Sequence, residues 1–430
     1  MIPAEKGNRV LEPHPIDMPV STGQFNRQLS FQRWFPFKEA FAPQFVANVI
    51  QRQSRASGVV LDPFAGSGTT ALTAQYLGWK PCTIEVNPFL ADLVEAKLTR
   101  YDPMRLAKTW RGLRKNVAAQ RVSLKTVYSE APPTLCEPGV DGRWVFAATV
   151  LRRITAYRLC IEALPDPEHR RFFRVLLGAT LIPLSNVVIS GKGRRYRRGW
   201  ELLQRTASDV DHMMDDSVER ALADVAHDER KEWNYQVMRG DARIATASAP
   251  PIHLAIFSPP YPNSFDYTDI YNIELWVLGY LKSADDNRAL RRATVHSHVQ
   301  LVREPSHAPA CVELADCLEA LKNARSRLWS KHIPEMVGSY FADLSRVMQM
   351  VGRKLRPGGE AVVVVGDSRY DTVYVDVASI LTDIAKAHGF SLRNRESIRA
   401  MRVSPQQGGQ HGLTETALTF VRDEVPHRGG

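Results

Sequence analysis

The chain has 430 residues, 44% of them hydrophobic and 24% charged, with a formal net charge of +10. That length allows one large core or about two to three domains, and the apolar content excludes a disordered or fibrous chain. The cationic excess favours a polyanionic partner, nucleic acid first. The five scattered cysteines, Cys82, Cys136, Cys160, Cys311 and Cys317, lack any C-x-x-C spacing, which argues against zinc or a disulfide framework and for a reducing cytoplasm.

Residues Met1 to Asn8 carry Glu5 and no apolar core, and no apolar run of about 18 residues occurs, so neither secretion nor a membrane span is expected. Residues 1–30 are rich in Pro, Gly, Asn and Gln without periodicity and read as a flexible or surface-draped arm. Trp34, Phe35, Phe37 and Phe41 then cluster around Lys38, either as core or as the wall of a pocket. Pro43 opens a helix predicted over Gln44 to Arg52.

Val59-Val60-Leu61 reads as a short buried strand, followed by Asp62-Pro63-Phe64-Ala65-Gly66-Ser67-Gly68-Thr69-Thr70 and a helix over Ala71 to Leu77. Gly66 and Gly68 let the backbone turn sharply and approach a ligand closely, while the helix N-terminus supplies free N–H groups. No lysine follows these glycines, so this is not a Walker phosphate loop. The next strand, Pro81 to Val86, delivers Glu85 about twenty residues after Gly66, the spacing of a ribose-binding acid in nucleotide folds. Asn87-Pro88 and a helix over Phe89 to Leu98 follow.

Residues 101–236 read as a basic, largely helical insertion, with helical spacing over Met104 to Val117, Phe146 to Ala163, Arg171 to Leu181 and Arg205 to Ala226. Within it, Ser190 to Trp200 gathers Lys192, Arg194, Arg195, Arg197 and Arg198 in a glycine-flexed loop interleaved with Tyr196 and Trp200. Cations alternating with rings suit nucleic-acid phosphates and bases. Gln236-Val237-Met238 then leads into Gly240-Asp241, where Asp241 either reaches an adenine amine or simply forms a turn.

The strand Ile252 to Phe257 ends in Ser258-Pro259-Pro260-Tyr261. Two adjacent prolines fix their own φ, remove two donors and hold the preceding residues extended, which makes a rigid ledge. On it the Ser258 hydroxyl and Pro259 carbonyl can accept from one planar amine, with the Tyr261 ring as a flat wall. Residues 281–335 form a second, more polar insertion; its His296, His298 and His307 share no metal-site spacing with a carboxylate or cysteine, so no metal is expected. A helix over Tyr340 to Leu355, a turn at Arg356 to Gly359, a strand over Ala361 to Val365, a helix over Val375 to His388 and strands over Leu392 to Arg395 and Leu418 to Val421 should complete a mixed sheet.

The stretch Asp62 to Thr69 resembles the cofactor loop, and Ser258-Pro259-Pro260-Tyr261 the catalytic tetrapeptide, of the DNA amino-methyltransferases, which methylate exocyclic base amines with S-adenosylmethionine. The resemblance covers residues 31–97, 237–280 and 340–422. It implies an α/β, Rossmann-like methyltransferase sheet with helices on both faces. The catalytic domain would span 31–100 and 237–425, with 101–236 as a helical, DNA-contacting recognition region and 281–335 as a smaller insertion.

By the same resemblance S-adenosylmethionine is the cofactor, with Phe64, Gly66 and Gly68 at its methionine part, and with Asp62 and Thr69 in the same loop. Glu85 takes the ribose, Asp241 lies near the adenine, and Lys38 and Phe41 belong to a further cofactor element, Lys38 to Val46. Ser258, Pro259, Pro260 and Tyr261 are catalytic, and Tyr261, assisted by Phe265 or Tyr267, stacks on a flipped base. DNA is the implied partner; a companion restriction endonuclease is allowed, and the oligomeric state stays open. Serine at the first catalytic position is mostly the form of N4-cytosine enzymes, so cytosine N4 is the expected target and adenine N6 the alternative. An RNA base-amine methyltransferase and a catalytically idle nucleic-acid-binding subunit are the other readings. Two departures stand out: the helical insertion precedes Asp241 where a recognition domain more usually follows, and His253 stands where the family often has an acid. The C5-cytosine route needs a cysteine beside a proline turn, and the single Pro-Cys pair, Pro81-Cys82, falls in the predicted ribose strand.

Overall fold

The computed structural model describes residues 23–37, 39–40, 42–190, 193–262, 266–301, 303–400 and 412–423. Its strands are β1 (Val59–Asp62), β2 (Lys80–Glu85), β3 (Val187–Ser190), β4 (Gly193–Tyr196), β5 (Gln236–Arg239), β6 (Ile252–Phe257), β7 (Leu355–Gly366), β8 (Ser368–Tyr370), β9 (Val373–Val375), β10 (Phe390–Ala400) and β11 (Thr414–Arg422). Seven of them form one sheet in the order β10-β11-β7-β6-β1-β2-β5. β5, β2, β1, β6 and β7 pair in parallel, and β11 runs antiparallel between β7 and β10.

Parallel neighbours require crossovers, which the helices Thr69–Tyr76 and Ile333–Lys354 supply after β1 and before β7. The chain runs outward from β1 to β2 and β5, then returns to β6 on the other side of β1. That reversal is the switch point of an open α/β sheet, where ligands sit outside the strand C-termini. The architecture is the Rossmann-like α/β sheet with helices on both faces that the resemblance implied.

Strand periodicity sorts the core. Val60, Leu254 and Ile256 pack with Val46, Val49 and Ile50 of helix Pro43–Gln51, whereas Leu61, Ala255 and Phe257 pack with Val337, Phe341 and Ile380 of the opposite layer. The helices of the first insertion, Pro103–Ala119, Ala148–Glu162, Pro167–Leu184 and Ala207–Ala226, share a continuous core with helix Pro88–Leu98 and with Phe31, Trp34 and Phe35. Asp224, buried near the end of this set, accepts from the Phe31 backbone N–H at 3.0 Å, from Arg33 Nε at 3.1 Å and from Trp34 Nε1 at 2.9 Å.

Two local expectations change. The stretch around Arg194 is a two-stranded hairpin, β3 with β4, where a loop was expected. The turn expected at Arg356 to Gly359 is absorbed into the irregular start of β7, where the register against β6 shifts and Gly358 has a φ of 71°. Among the described residues, no helix is long and apolar enough to cross a membrane.

Candidate active site

The turn after β1 is closed by its own acids. Asp62 Oδ1 accepts from the Phe64 backbone N–H at 3.0 Å, and Glu85, at the end of β2, accepts from the backbone N–H groups of Gly66 and Asn87, each at 2.8 Å. Asn87 in turn caps the helix Pro88–Leu98 by accepting from Phe89 and Leu90. Burial pushes the Glu85 carboxyl up to about 7, against the lowering effect of those N–H donors, and burial likewise pushes Asp62 up to about 7. A carboxylate has about four lone-pair sites, so Glu85 keeps capacity to accept from a ligand.

Gly66 and Gly68 have φ of 52° and 79°, the left-handed region that penalises a side chain. A Cβ on Gly66 would also begin 3.1 Å from the Phe37 ring, and one on Gly68 would begin 3.1 Å from Val94. Phe37 itself stacks on Tyr271 with ring centres 5.3 Å apart, so the N-terminal aromatics wall this turn as well as filling core. Beneath it, buried Lys97 donates to the Ser67 carbonyl at 2.7 Å and to Gln32 Oε1 at 3.2 Å, and burial lowers its ammonium to about 7. Thr69 begins the following helix, and Phe64 lies half-buried, its ring 6.0 Å from that of Phe257. A left-handed glycine turn backed by Phe37 and Val94, with the buried Glu85 carboxyl beside it, fits a nucleoside with a short charged tail such as S-adenosylmethionine.

The ledge adjoins this turn because β6 pairs with β1 through Val60 with Leu254 and Leu61 with Ala255. Ser258, Pro260 and Tyr261 are half-buried and Pro259 is buried. The Ser258 hydroxyl donates to Tyr261 Oη at 3.2 Å, and Tyr261 donates to Glu415 Oε1 at 2.8 Å. Glu415 is tied to Arg399, whose Nε lies 2.7 Å from Oε2. Buried Tyr370 clasps the Pro262 carbonyl. His253, in the same strand, uses Nδ1 to accept from the Val59 backbone N–H at 3.0 Å, and burial lowers its pKa.

Asp241 lies just past the end of β5 and is clamped by Arg243, whose Nη1 also reaches Asp343 at 2.9 Å. The second insertion closes on this network: His296 Nδ1 is 2.7 Å from Asp343, and Arg291 pairs with Asp266 at 2.6 Å. His298 lies 3.7 Å from Asp266, so the two histidines of the H-x-H turn to different acids. Among the described residues, no three His, Cys, Asp or Glu group as metal ligands.

The basic hairpin divides by function. Arg194 pairs with Asp269 at 3.0 Å, and Arg197 donates to the carbonyls of Ser185 and Ile182, whereas Arg195 and Arg198 are exposed. Trp200 packs edge-on against Trp144, so the ring expected to stack on bases is used internally. Lys38, Phe41, Lys192 and Phe265 lie outside the described residues, as does the side chain of Tyr267. Glu415, Arg399, Lys97 and Arg243 escaped sequence reasoning. For Lys97 the signal was a lysine in an apolar helix, and for Glu415 it was an acid at the start of an apolar strand.

Residues 17–96 match the N6/N4 methyltransferase family model, described as DNA methylase. The chain is 25% identical to the type II methyltransferase M.AvaI of Nostoc sp. over 90% of its own length and 85% of the relative's. With the type II methyltransferase M.BsoBI of Geobacillus stearothermophilus it shares 22% identity over 94% of itself and 87% of the relative. M.MjaII of Methanocaldococcus jannaschii matches at 36% over 17% of the chain and 14% of the relative. The chain thus matches the N6/N4 DNA methylases over its N-terminal part and is similar to type II methyltransferases along most of its length.

Proposed function

We propose that this methyltransferase acts on the exocyclic N4 amine of cytosine within a specific DNA sequence, on a base swung out of the duplex. The observation that carries the reading is the serine ledge at the end of β6, next to the glycine turn at the end of β1. Phe64, Gly66 and Gly68, with Asp62 and Thr69, would hold the methionine part of S-adenosylmethionine, Glu85 the ribose and Asp241 the adenine side. Once bound, the cofactor supplies an electrophilic methyl group on a sulfonium.

The cytosine amine is a poor nucleophile because its lone pair is delocalised into the ring. Ser258 Oγ and the Pro259 carbonyl accept its two hydrogens and turn the lone pair towards the methyl carbon. Orientation of this kind contributes about 7–11 kcal/mol, against about 0.5–1.5 kcal/mol for one neutral hydrogen bond. No strong base is needed before transfer, since the amine becomes acidic as it is alkylated. Extruding the base costs a few kcal/mol, offset by stacking on Tyr261 with Phe265 or Tyr267. Arg195 and Arg198, with Lys192, contact phosphates in the first insertion.

Replacing Ser258 with Ala tests the reading. The variant should lose methyl transfer by about a hundredfold or more while binding cofactor and DNA nearly as the parent does. Mass spectrometry of digested product DNA should show N4-methylcytosine. N6-methyladenine would move the target base and leave the ledge intact; wild-type turnover by Ser258→Ala would remove the ledge from catalysis.

A further inference from the structure

A hydroxyl has one proton and two lone pairs, so a chain of hydroxyls has a direction. At the ledge that direction is set from outside the tetrapeptide. Paired with Arg399 through Nε at 2.7 Å and Nη2 at 3.2 Å, the Glu415 carboxylate can only accept. Tyr261 therefore gives Glu415 its proton, at 2.8 Å, and offers Ser258 only a lone pair. Ser258 directs its own proton to Tyr261, at 3.2 Å, which leaves its oxygen with lone pairs alone.

We propose that Glu415, held by Arg399, is a positioning residue for methyl transfer: it polarises the chain so that Ser258 meets the substrate amine as an acceptor. Without the acid, the Tyr261 proton can turn onto Ser258. The serine proton then points at the amine, donor against donor. The fold explains why so distant a residue is at hand. β11 runs antiparallel, so its first residues reach the edge where the parallel strands end, and Glu415 pairs with Gly366 at the end of β7. Glu415 is only 5% exposed, which keeps water from replacing it as the acceptor. The inference rests on reading Ser258 as the amine's acceptor.

The test uses the full chain and unmethylated genomic duplex DNA, with labelled methyl transfer from S-adenosylmethionine, cofactor calorimetry and thermal melting. Glu415→Ala should lower kcat on the order of ten- to a hundredfold, with cofactor and DNA KM within about threefold. Glu415→Gln keeps an acceptor oxygen and should recover part of that loss. The deciding comparison repeats these changes in a Tyr261→Phe background, where either Glu415 substitution should cause no further loss. Should Glu415→Ala fail to fold, Glu415→Gln alone carries the same comparison. Wild-type kcat in a folded Glu415→Ala, or an undiminished Glu415 effect in the Tyr261→Phe background, would overturn the proposal. A slow Ser258→Ala beside fast Glu415 variants sinks this inference alone, whereas a fast Ser258→Ala sinks the ledge itself.

Discussion

Glu85 and Asp62 are carboxyls buried at the turn proposed to receive the cofactor, and both are raised to about 7 by burial. A carboxyl whose folded pKa exceeds its unfolded value binds more protons when folded. Its contribution to stability is complete below the unfolded value, near 4.5 for Glu85, and is lost as pH rises through about 7. The melting temperature of the cofactor-free enzyme should accordingly fall between about pH 5 and about pH 8. If Glu85 takes the ribose as proposed, added S-adenosylmethionine should stabilise more at the upper end, where the ionised carboxylate accepts hydroxyls best, and Glu85→Gln should flatten both trends. Scanning calorimetry with and without cofactor checks this; an unchanged slope in Glu85→Gln would assign the titration elsewhere. Glu85 was legible in the sequence because strand end and spacing are both local properties. Lys97 was not, since its meaning is the carbonyl of Ser67, far back along the chain.

At the scale of elements, four arginines that look alike in sequence divide by what surrounds them. Arg194 is held by Asp269, Arg195 and Arg198 are exposed, and Arg197 donates to the Ser185 and Ile182 carbonyls at the end of helix Pro167–Leu184. Substituting Arg195 and Arg198 with Ala should reduce the salt slope of DNA binding by about two, one for each phosphate no longer neutralised, without moving the melting temperature. Arg197→Ala should instead cost about 0.5–1.5 kcal/mol in denaturant unfolding, because its bonds are lost while the Ser185 carbonyl keeps Arg205 and the Ile182 carbonyl keeps the Ser185 hydroxyl. An unchanged salt slope in the double variant would make the hairpin a structural element only. Periodicity located most helices and strands before residue 260 to within a few residues, since burial of one face is written into the order of apolar residues. Beyond that point it began the helix Ile333–Lys354 seven residues late and the strand Leu355–Gly366 six, and it missed the helices Ala284–Arg292 and Val312–Asn323. It could not find the hairpin, whose pairing of Val187 with Tyr196 depends on the helices that frame it.

At the scale of the molecule, the first insertion read as a separate helical region because its apolar periodicity names no partner. Asp224 shows where the partner is: it ties the turn at Phe31 to Trp34 onto the insertion, and Phe37 then walls the glycine turn. Asp224→Ala should destabilise the chain by about 2–4 kcal/mol, since it orphans a buried backbone N–H and an indole N–H beside Arg33. Chemical denaturation measures this, and a loss below about half a kcal/mol would show that the turn is held by ring packing alone. The order of the sheet has a consequence for synthesis. β1 leaves the ribosome long before β6, its neighbour on the site side, so the nascent chain waits on the order of ten seconds or more. During that wait the Val60 and Leu61 edge stands open, a template for mispairing with other chains. Anything that shields that edge until Phe257 has emerged should therefore raise the yield of folded chain.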